Sequence, residues 1–124
     1  MKKILFIEDE TSLQKAFGTI LKDKGYEVVS AFDGEKGLKL AKDERPDLIL
    51  LDLILPKAHG FEVLKKLKEE KETQQIPVIV LTNLEEMENV GKALELGAMA
   101  YLIKAQYSLE EVLGKIKKAL GEVN

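Results

Sequence analysis

The chain has 124 residues, 45% of them hydrophobic and 33% charged, with a formal net charge of −3, the profile of one globular domain and not of a disordered chain. The absence of cysteine excludes thiolate nucleophiles, zinc–thiolate sites and iron–sulfur clusters, and a single histidine excludes two-histidine metal sites and a histidine relay. With 19 basic against 22 acidic residues, the overall field gives no reason to expect nucleic-acid binding.

The first apolar run, Ile4–Ile7, has strand length and stops at Glu8-Asp9-Glu10. It is too short for the apolar region of a signal peptide, and no run approaches the ~20 residues of a membrane span, so the chain reads as cytoplasmic. Leu13, Ala16, Phe17, Ile20 and Leu21 recur at three and four, predicting a helix that opens on a Thr11/Gln14 capping box and stops at Gly25. Tyr26–Ala31 is more polar and reads as an edge strand. Asp33 caps a second helix that ends before Pro46, which restricts Arg45.

Asp47–Leu55 contains the third strand, and Phe61, Leu64 and Leu67 mark the third helix. Ile76–Leu81 is the fourth strand; Met87, Val90 and Leu94 form the stripe of a fourth helix closed by Gly97. Met99–Ile103 is the fifth strand. Ser108 and Glu111 form a capping box for a last helix with the stripe Leu109, Val112, Leu113, Ile116 and Leu120. Continuous apolar runs suit strands covered on both faces. Five βα units with right-handed crossovers give an α/β fold: an open, doubly wound, five-stranded parallel sheet with helices on both faces, in one domain over residues 1–124.

In such sheets ligands bind beyond the carboxyl ends of the strands. Glu8 and Asp9 follow the first strand, Asp52 the third, Thr82 the fourth and Lys104 the fifth. Carboxylate oxygens are natural ligands for Mg²⁺, and a carboxylate can act as a nucleophile towards phosphorus, with an ammonium and a hydroxyl to hold the phosphoryl oxygens. Taken singly, Glu8 and Asp9 also suit the first turn of a helix, Thr82 suits a helix N-cap, and Lys104 suits a side chain reaching out to water. Asp52, enclosed by leucine and isoleucine, has no comparable structural use. His59 reads as a solvated loop residue, and Lys115, Lys117 and Lys118 as the exposed face of the last helix.

Glu8-Asp9, Asp52-Leu-Ile-Leu-Pro56 followed by Gly60, then Thr82, Gly97-Ala98, Tyr101 and Lys104 occur in one order along nearly the whole chain. In this it resembles the receiver domains of two-component response regulators, including the single-domain receivers of chemotaxis. The resemblance implies a flavodoxin-like strand order 2-1-3-4-5 and a signalling protein that is not an enzyme beyond its own phosphorylation and dephosphorylation. Asp52 would accept a phosphoryl group from a sensor histidine kinase or phosphotransfer protein. Mg²⁺ would be held by Asp9, Asp52 and the backbone carbonyl of Ile54, with Glu8 acting through water. Lys104 and Thr82 would grip the phosphoryl oxygens, and Thr82 and Tyr101 would switch the face of the fourth helix, fifth strand and fifth helix towards a protein partner. No nucleic-acid or membrane contact is implied, and the expected state is a monomer that dimerises at most on phosphorylation.

Two positions depart from the family pattern. Ala105 stands where a proline with a cis bond usually follows the lysine, so a trans or strained Lys104–Ala105 bond and a less rigidly aimed Lys104 are expected. Asn83 replaces a small residue, and its side chain is expected over the phosphate pocket or at the metal shell. Ile54 and Leu84 would flank the hydrolytic water without orienting it, implying slow self-dephosphorylation. A degenerate receiver that binds partners without phosphate is the alternative. A flavin carrier fits less well because Glu8-Asp9-Glu10 repels phosphate, a P-loop nucleotidase lacks its motif, and a phosphatase of the haloacid-dehalogenase type would carry an acid at position 54. Five βα units use the whole length, so the expectation is either a stand-alone receiver or the excised N-terminal part of a longer regulator.

Overall fold

Strands and helices alternate without exception in the computed structural model, which describes residues 1–122. The order is β1 (Lys3–Ile7), α1 (Thr11–Asp23), β2 (Glu27–Ala31), α2 (Gly34–Glu44), β3 (Leu48–Leu51), α3 (Gly60–Glu69), β4 (Val78–Thr82), α4 (Met87–Glu95), β5 (Ala100–Ile103), a 3-10 turn (Lys104–Gln106) and α5 (Leu109–Ala119). The strands are all parallel, in the order β2-β1-β3-β4-β5, which is the flavodoxin-like order expected.

The two-residue period of the strands divides the core in two. Leu5, Ile7, Ile49, Leu51, Val78 and Val80 meet Val63, Leu64 and Leu67 of α3, Ala41 of α2 and Ala93 of α4. Ile4, Phe6, Leu48, Leu50, Ile79 and Leu81 meet Phe17 and Leu21 of α1 and Val112, Leu113 and Ile116 of α5. Residues within β1 and β3 are therefore apolar at successive positions because each face has its own cover. Since the chain passes from β1 to β2 on one side and from β3 to β4 on the other, right-handed crossovers carry it from β1 and β3 towards opposite faces, which opens a crevice beyond their carboxyl ends.

Several local expectations hold. Asp33 caps α2 by accepting from the Lys36 N–H at 2.7 Å. The Ser108–Glu111 capping box forms in both directions, at 3.1 and 2.9 Å. Gly25 (φ 94°) and Gly97 (φ 109°) turn the chain in the left-handed region after α1 and α4. The helix before Pro46 ends with Arg45 itself left-handed, at φ 45°, since the proline ring disfavours a further right-handed helical residue.

Others do not. No Thr11/Gln14 capping box forms: Glu10 occupies the cap position of α1 without a side-chain bond, and Gln14 turns into the core. Ala16 is exposed. The third strand stops at Leu51, short of the apolar run's end, because the chain turns at Asp52 to begin its crossover. In α4 the apolar stripe lies largely outward: Met87 is 81% and Leu94 48% exposed, and Ala93 is the buried residue. Three apolar residues at helical spacing define a stripe without saying which side of the helix the sheet will take. Met99, also read as strand, lies before β5 and is 56% exposed.

His59 is exposed, as expected, yet it has a structural job. It is the N-cap of α3, its Nδ1 accepting from the Phe61 N–H at 3.1 Å, with the rings stacked at 5.2 Å and Lys92 Nζ 4.8 Å from the Phe61 centroid. An aspartate there would keep the acceptor and add a charge favourable to the helix N-terminus and to Lys92. His59→Asp is expected to raise stability by about 0.5–1 kcal/mol, read as a higher urea midpoint at unchanged slope. A lower midpoint would mean that the imidazole stack outweighs the better cap.

Candidate functional site at the carboxyl edge of the sheet

Backbone bonds tie the strand ends before any side chain is considered. The Glu8 N–H donates to the Ala31 carbonyl at 2.9 Å and the Asp52 N–H to the Ile7 carbonyl at 3.0 Å, so the ends of β2, β1 and β3 are joined. Gln14, 4% exposed, reinforces this from beneath, its Nε2 lying 3.0 Å from each of the Phe6, Glu8 and Ala31 carbonyl oxygens. Gly60 lets the start of α3 close against the same region, since a Cβ there would fall 2.6 Å from the Asp52 carbonyl oxygen and 2.4 Å from the Leu53 Cα.

On this frame Glu8 is 1% and Asp52 5% exposed, while Asp9 is open to solvent. Carboxylate oxygens of the three lie within 4.8 Å of one another. Lys104 reaches back over them, its Nζ 2.8 Å from Asp52 Oδ2 and 2.6 Å from Glu8 Oε1. Its side chain is directed inward, not out to water. Glu8 Oε2 accepts from the Glu10 N–H at 3.0 Å, and Asp52 Oδ1 from the Ile54 N–H at 3.3 Å.

The charges are unevenly comfortable. Burial raises the pKa of Glu8, and the negative charge of Asp52 adds to the shift, against the Lys104 bond and the Glu10 N–H, which lower it. For Lys104, burial works against the ammonium, but the bonds to Asp52 and Glu8 prevail and hold it protonated above the ordinary lysine range. One cation thus serves two buried acids.

Thr82 ends β4 opposite Ile103, adjacent in sequence to Lys104. It is fully buried and its Oγ1 has no hydrogen-bond partner, which is costly for a hydroxyl unless something else supplies one. Thr82 is not the cap of α4: the N-cap position belongs to Glu86, which makes no side-chain cap bond. Tyr101, half-buried, donates from its hydroxyl to the Leu84 carbonyl at 2.7 Å, and burial followed by the charges of Glu86 and Asp52 raises its pKa. Leu84 is half-buried against the core, whereas Ile54 is 55% exposed at the rim.

The Lys104–Ala105 bond is trans, like every peptide bond among the described residues. Asn83 Oδ1 accepts the Ala105 N–H at 3.2 Å, so the side chain ties the loop after β4 to the loop after β5. Gln14 was missed as a site residue. Its signal is its spacing with Phe17 and Leu21, which marks a polar group on the buried face of α1.

The donor set of Glu8, Asp9 and Asp52 consists of hard oxygens, the type a small divalent cation prefers. The architecture is a doubly wound, flavodoxin-like fold with an acidic crevice where the strand order reverses.

The family model described as "Response regulator receiver domain" matches residues 4–117, and the chain belongs to that family. It is 42% identical over 119 residues to the alkaline phosphatase synthesis transcriptional regulatory protein PhoP of Bacillus subtilis, covering 96% of this chain and 48% of that protein. The chain spans about half the length of the curated relatives it matches. Among solved structures, a CheY-like response regulator receiver domain protein from Methanospirillum hungatei superposes with a TM-score of 0.91 at 32% identity, over 98% of this chain and 94% of that one. The Mn²⁺-bound form of the response regulator Rcp1 gives 0.87 at 31% identity, over 100% and 98%. Receiver domains are signalling modules of two-component systems and not classical enzymes.

Proposed function

We propose that the protein is a phosphorylation-activated switch in which Asp52 is the phosphoacceptor. The observation that carries this reading is the convergence of Lys104 on Asp52 and Glu8, beside Asp9. An Asp52 carboxylate oxygen attacks the phosphorus of a phosphohistidine on a sensor kinase or phosphotransfer protein, or of a small acyl phosphate. An acyl-phosphate bond forms as the P–N or P–O bond to the donor breaks, and the donor departs with that electron pair. Asp9, Asp52 and the Ile54 carbonyl would hold Mg²⁺, with Glu8 acting through water; the ion supplies charge neutralisation for the incoming phosphoryl oxygens. Lys104 then exchanges carboxylate for phosphoryl oxygen, and Thr82 gains the partner its hydroxyl lacks.

New contacts available only after phosphorylation would shift the population of conformers. Tyr101, bonded to the Leu84 carbonyl in the segment after Thr82, links the site to the α4–β5–α5 face. That face carries exposed Met87, Leu94 and Met99, suited to a protein partner; the chain itself makes no direct nucleic-acid contact. We place the protein in the cytoplasm, where such kinases deliver phosphate, as a receiver domain over residues 1–124 that is monomeric until phosphorylated.

Incubation with Mg²⁺ and acetyl phosphate should add the mass of one phosphoryl group. The alternative of a phosphate-independent binding module predicts no addition and no response to beryllofluoride. Ile54→Asn and Leu84→Gln should each shorten the phosphate half-life several-fold, by placing a polar group beside the hydrolytic water. An unchanged half-life in both would remove that role.

A further inference from the structure

Lys104 is anchored on two sides of its backbone, and the second anchor is a side chain. On the β5 side, strand pairing sets Ile103 against Thr82. On the other side the chain enters the 3-10 turn Lys104–Gln106, and the first N–H groups of such a turn have no partner within it. The Ala105 N–H is one of these, and Asn83 Oδ1 accepts it at 3.2 Å. The bond joins the loop after β4 to the loop after β5, one residue from Thr82 and one from Lys104.

We propose that Asn83 is a positioning residue for Lys104, acting through the Ala105 N–H. Lysine is a long, flexible side chain whose aim depends on where its Cα is held. At the tip the Nζ is shared between Asp52 and Glu8, and both contacts must loosen if a phosphoryl group arrives on Asp52. The two backbone anchors are the restraints that remain during that exchange, and the Asn83 bond is the one on the far side of Lys104 from the strand. It also makes Thr82 and Lys104 dependent on each other, since any displacement of 82–83 pulls on 104–105. Asn83 and Ala105 form a matched pair: the asparagine is useful only because residue 105 carries an N–H, which a proline would not. The two departures from the family pattern are then one feature.

This inference rests on the functional reading above for its rate consequence, but not for the hydrogen bond itself. The test compares the 124-residue wild type with Asn83→Ala, Asn83→Asp, Ala105→Pro and the Asn83→Ala/Ala105→Pro double variant. Amide hydrogen exchange at Ala105, followed by NMR in metal-free protein, should be about two- to tenfold faster in Asn83→Ala, the range one net hydrogen bond supplies, and unchanged in Asn83→Asp, which keeps the acceptor. With saturating acetyl phosphate, Asn83→Ala should slow phosphoryl uptake by about the same factor at unchanged Mg²⁺ affinity. That effect should vanish in the Ala105→Pro background, where there is no N–H to accept. Unchanged exchange in Asn83→Ala, an equal rate effect in both backgrounds, or a parallel loss of Mg²⁺ affinity would each overturn the proposal. A wild type that takes up no phosphoryl group would defeat the functional reading and, with it, the rate role, while the exchange measurement still decides whether the tether exists.

Discussion

Asp52→Asn is expected to abolish phosphoryl uptake from acetyl phosphate while leaving the fold at least as stable as the wild type. The loss is complete because the amide oxygen is a far poorer nucleophile and cannot form the acyl phosphate without losing nitrogen. The stability argument comes from the charge count. Two nearly inaccessible carboxylates, Glu8 and Asp52, share one ammonium, and the Asp52 charge is among the causes that raise the Glu8 pKa. With asparagine at 52, Lys104 keeps a one-to-one partner in Glu8, and the single amide oxygen accepts from either the Ile54 N–H or Lys104, which offsets part of the gain. One buried charge fewer has to be desolvated, so the change should lie between zero and about 1 kcal/mol in the stabilising direction. Equilibrium urea unfolding and intact-mass measurement on the same sample test both halves. An equal mass gain in the variant would move the acceptor elsewhere, with exposed Asp9 the first place to look; a loss above about 2 kcal/mol would mean that the Asp52–Lys104 pair stabilises the fold outright.

Most of what positions this site could be read from residue order. The apolar runs Ile4–Ile7 and Ile76–Leu81 stand out because interior parallel strands need no polar face, and Asp33, Ser108, Gly25 and Gly97 mark helix ends through local geometry. The residues at the strand ends follow from the same pattern, so residue order alone puts Glu8, Asp52, Thr82 and Lys104 at one edge. What escaped depends on partners far apart in sequence. Gln14 satisfies the capping pattern locally, but three carbonyls at the ends of β1 and β2 and in the loop after β1 offer it more than one cap could. The bond between Asn83 and Ala105 is not legible in residue order either, since only the folded loops bring the acceptor and the N–H together. The direction of the α4 stripe is not legible in the sequence, since periodicity fixes a face and not where it points; Ala93, a weak signal, is what the sheet accepts.

Lys104→Ala should separate the roles of the cation, because its three consequences differ in sign. At neutral pH the variant leaves Glu8 and Asp52 buried together without compensation, and a loss of about 2–3 kcal/mol is expected, below the range for a fully buried pair because the lysine side chain retains 17% exposure. The deficit should shrink on acidification. Glu8 already has a folded-state pKa above its ordinary 4.5, and removing its ammonium partner raises it further. A raised folded pKa means that the protonated form favours the fold: its contribution is fully present below the unfolded value and is lost as pH rises through the folded one. Urea midpoints of variant and wild type should therefore converge as the pH falls below neutrality. A divalent cation should do the same work at constant pH, since Lys104 no longer competes for Glu8 and Asp52; Mg²⁺ should bind at least as tightly and stabilise the variant more than the wild type. Phosphoryl uptake should fall by about two orders of magnitude, the scale for removing one preorganised charge from a transition state. Tighter metal binding with slower chemistry cannot arise from general misfolding, which would weaken both. If Mg²⁺ affinity instead drops with the rate, Lys104 serves mainly to align the acids, and its proposed transfer from carboxylate to phosphoryl oxygen is wrong.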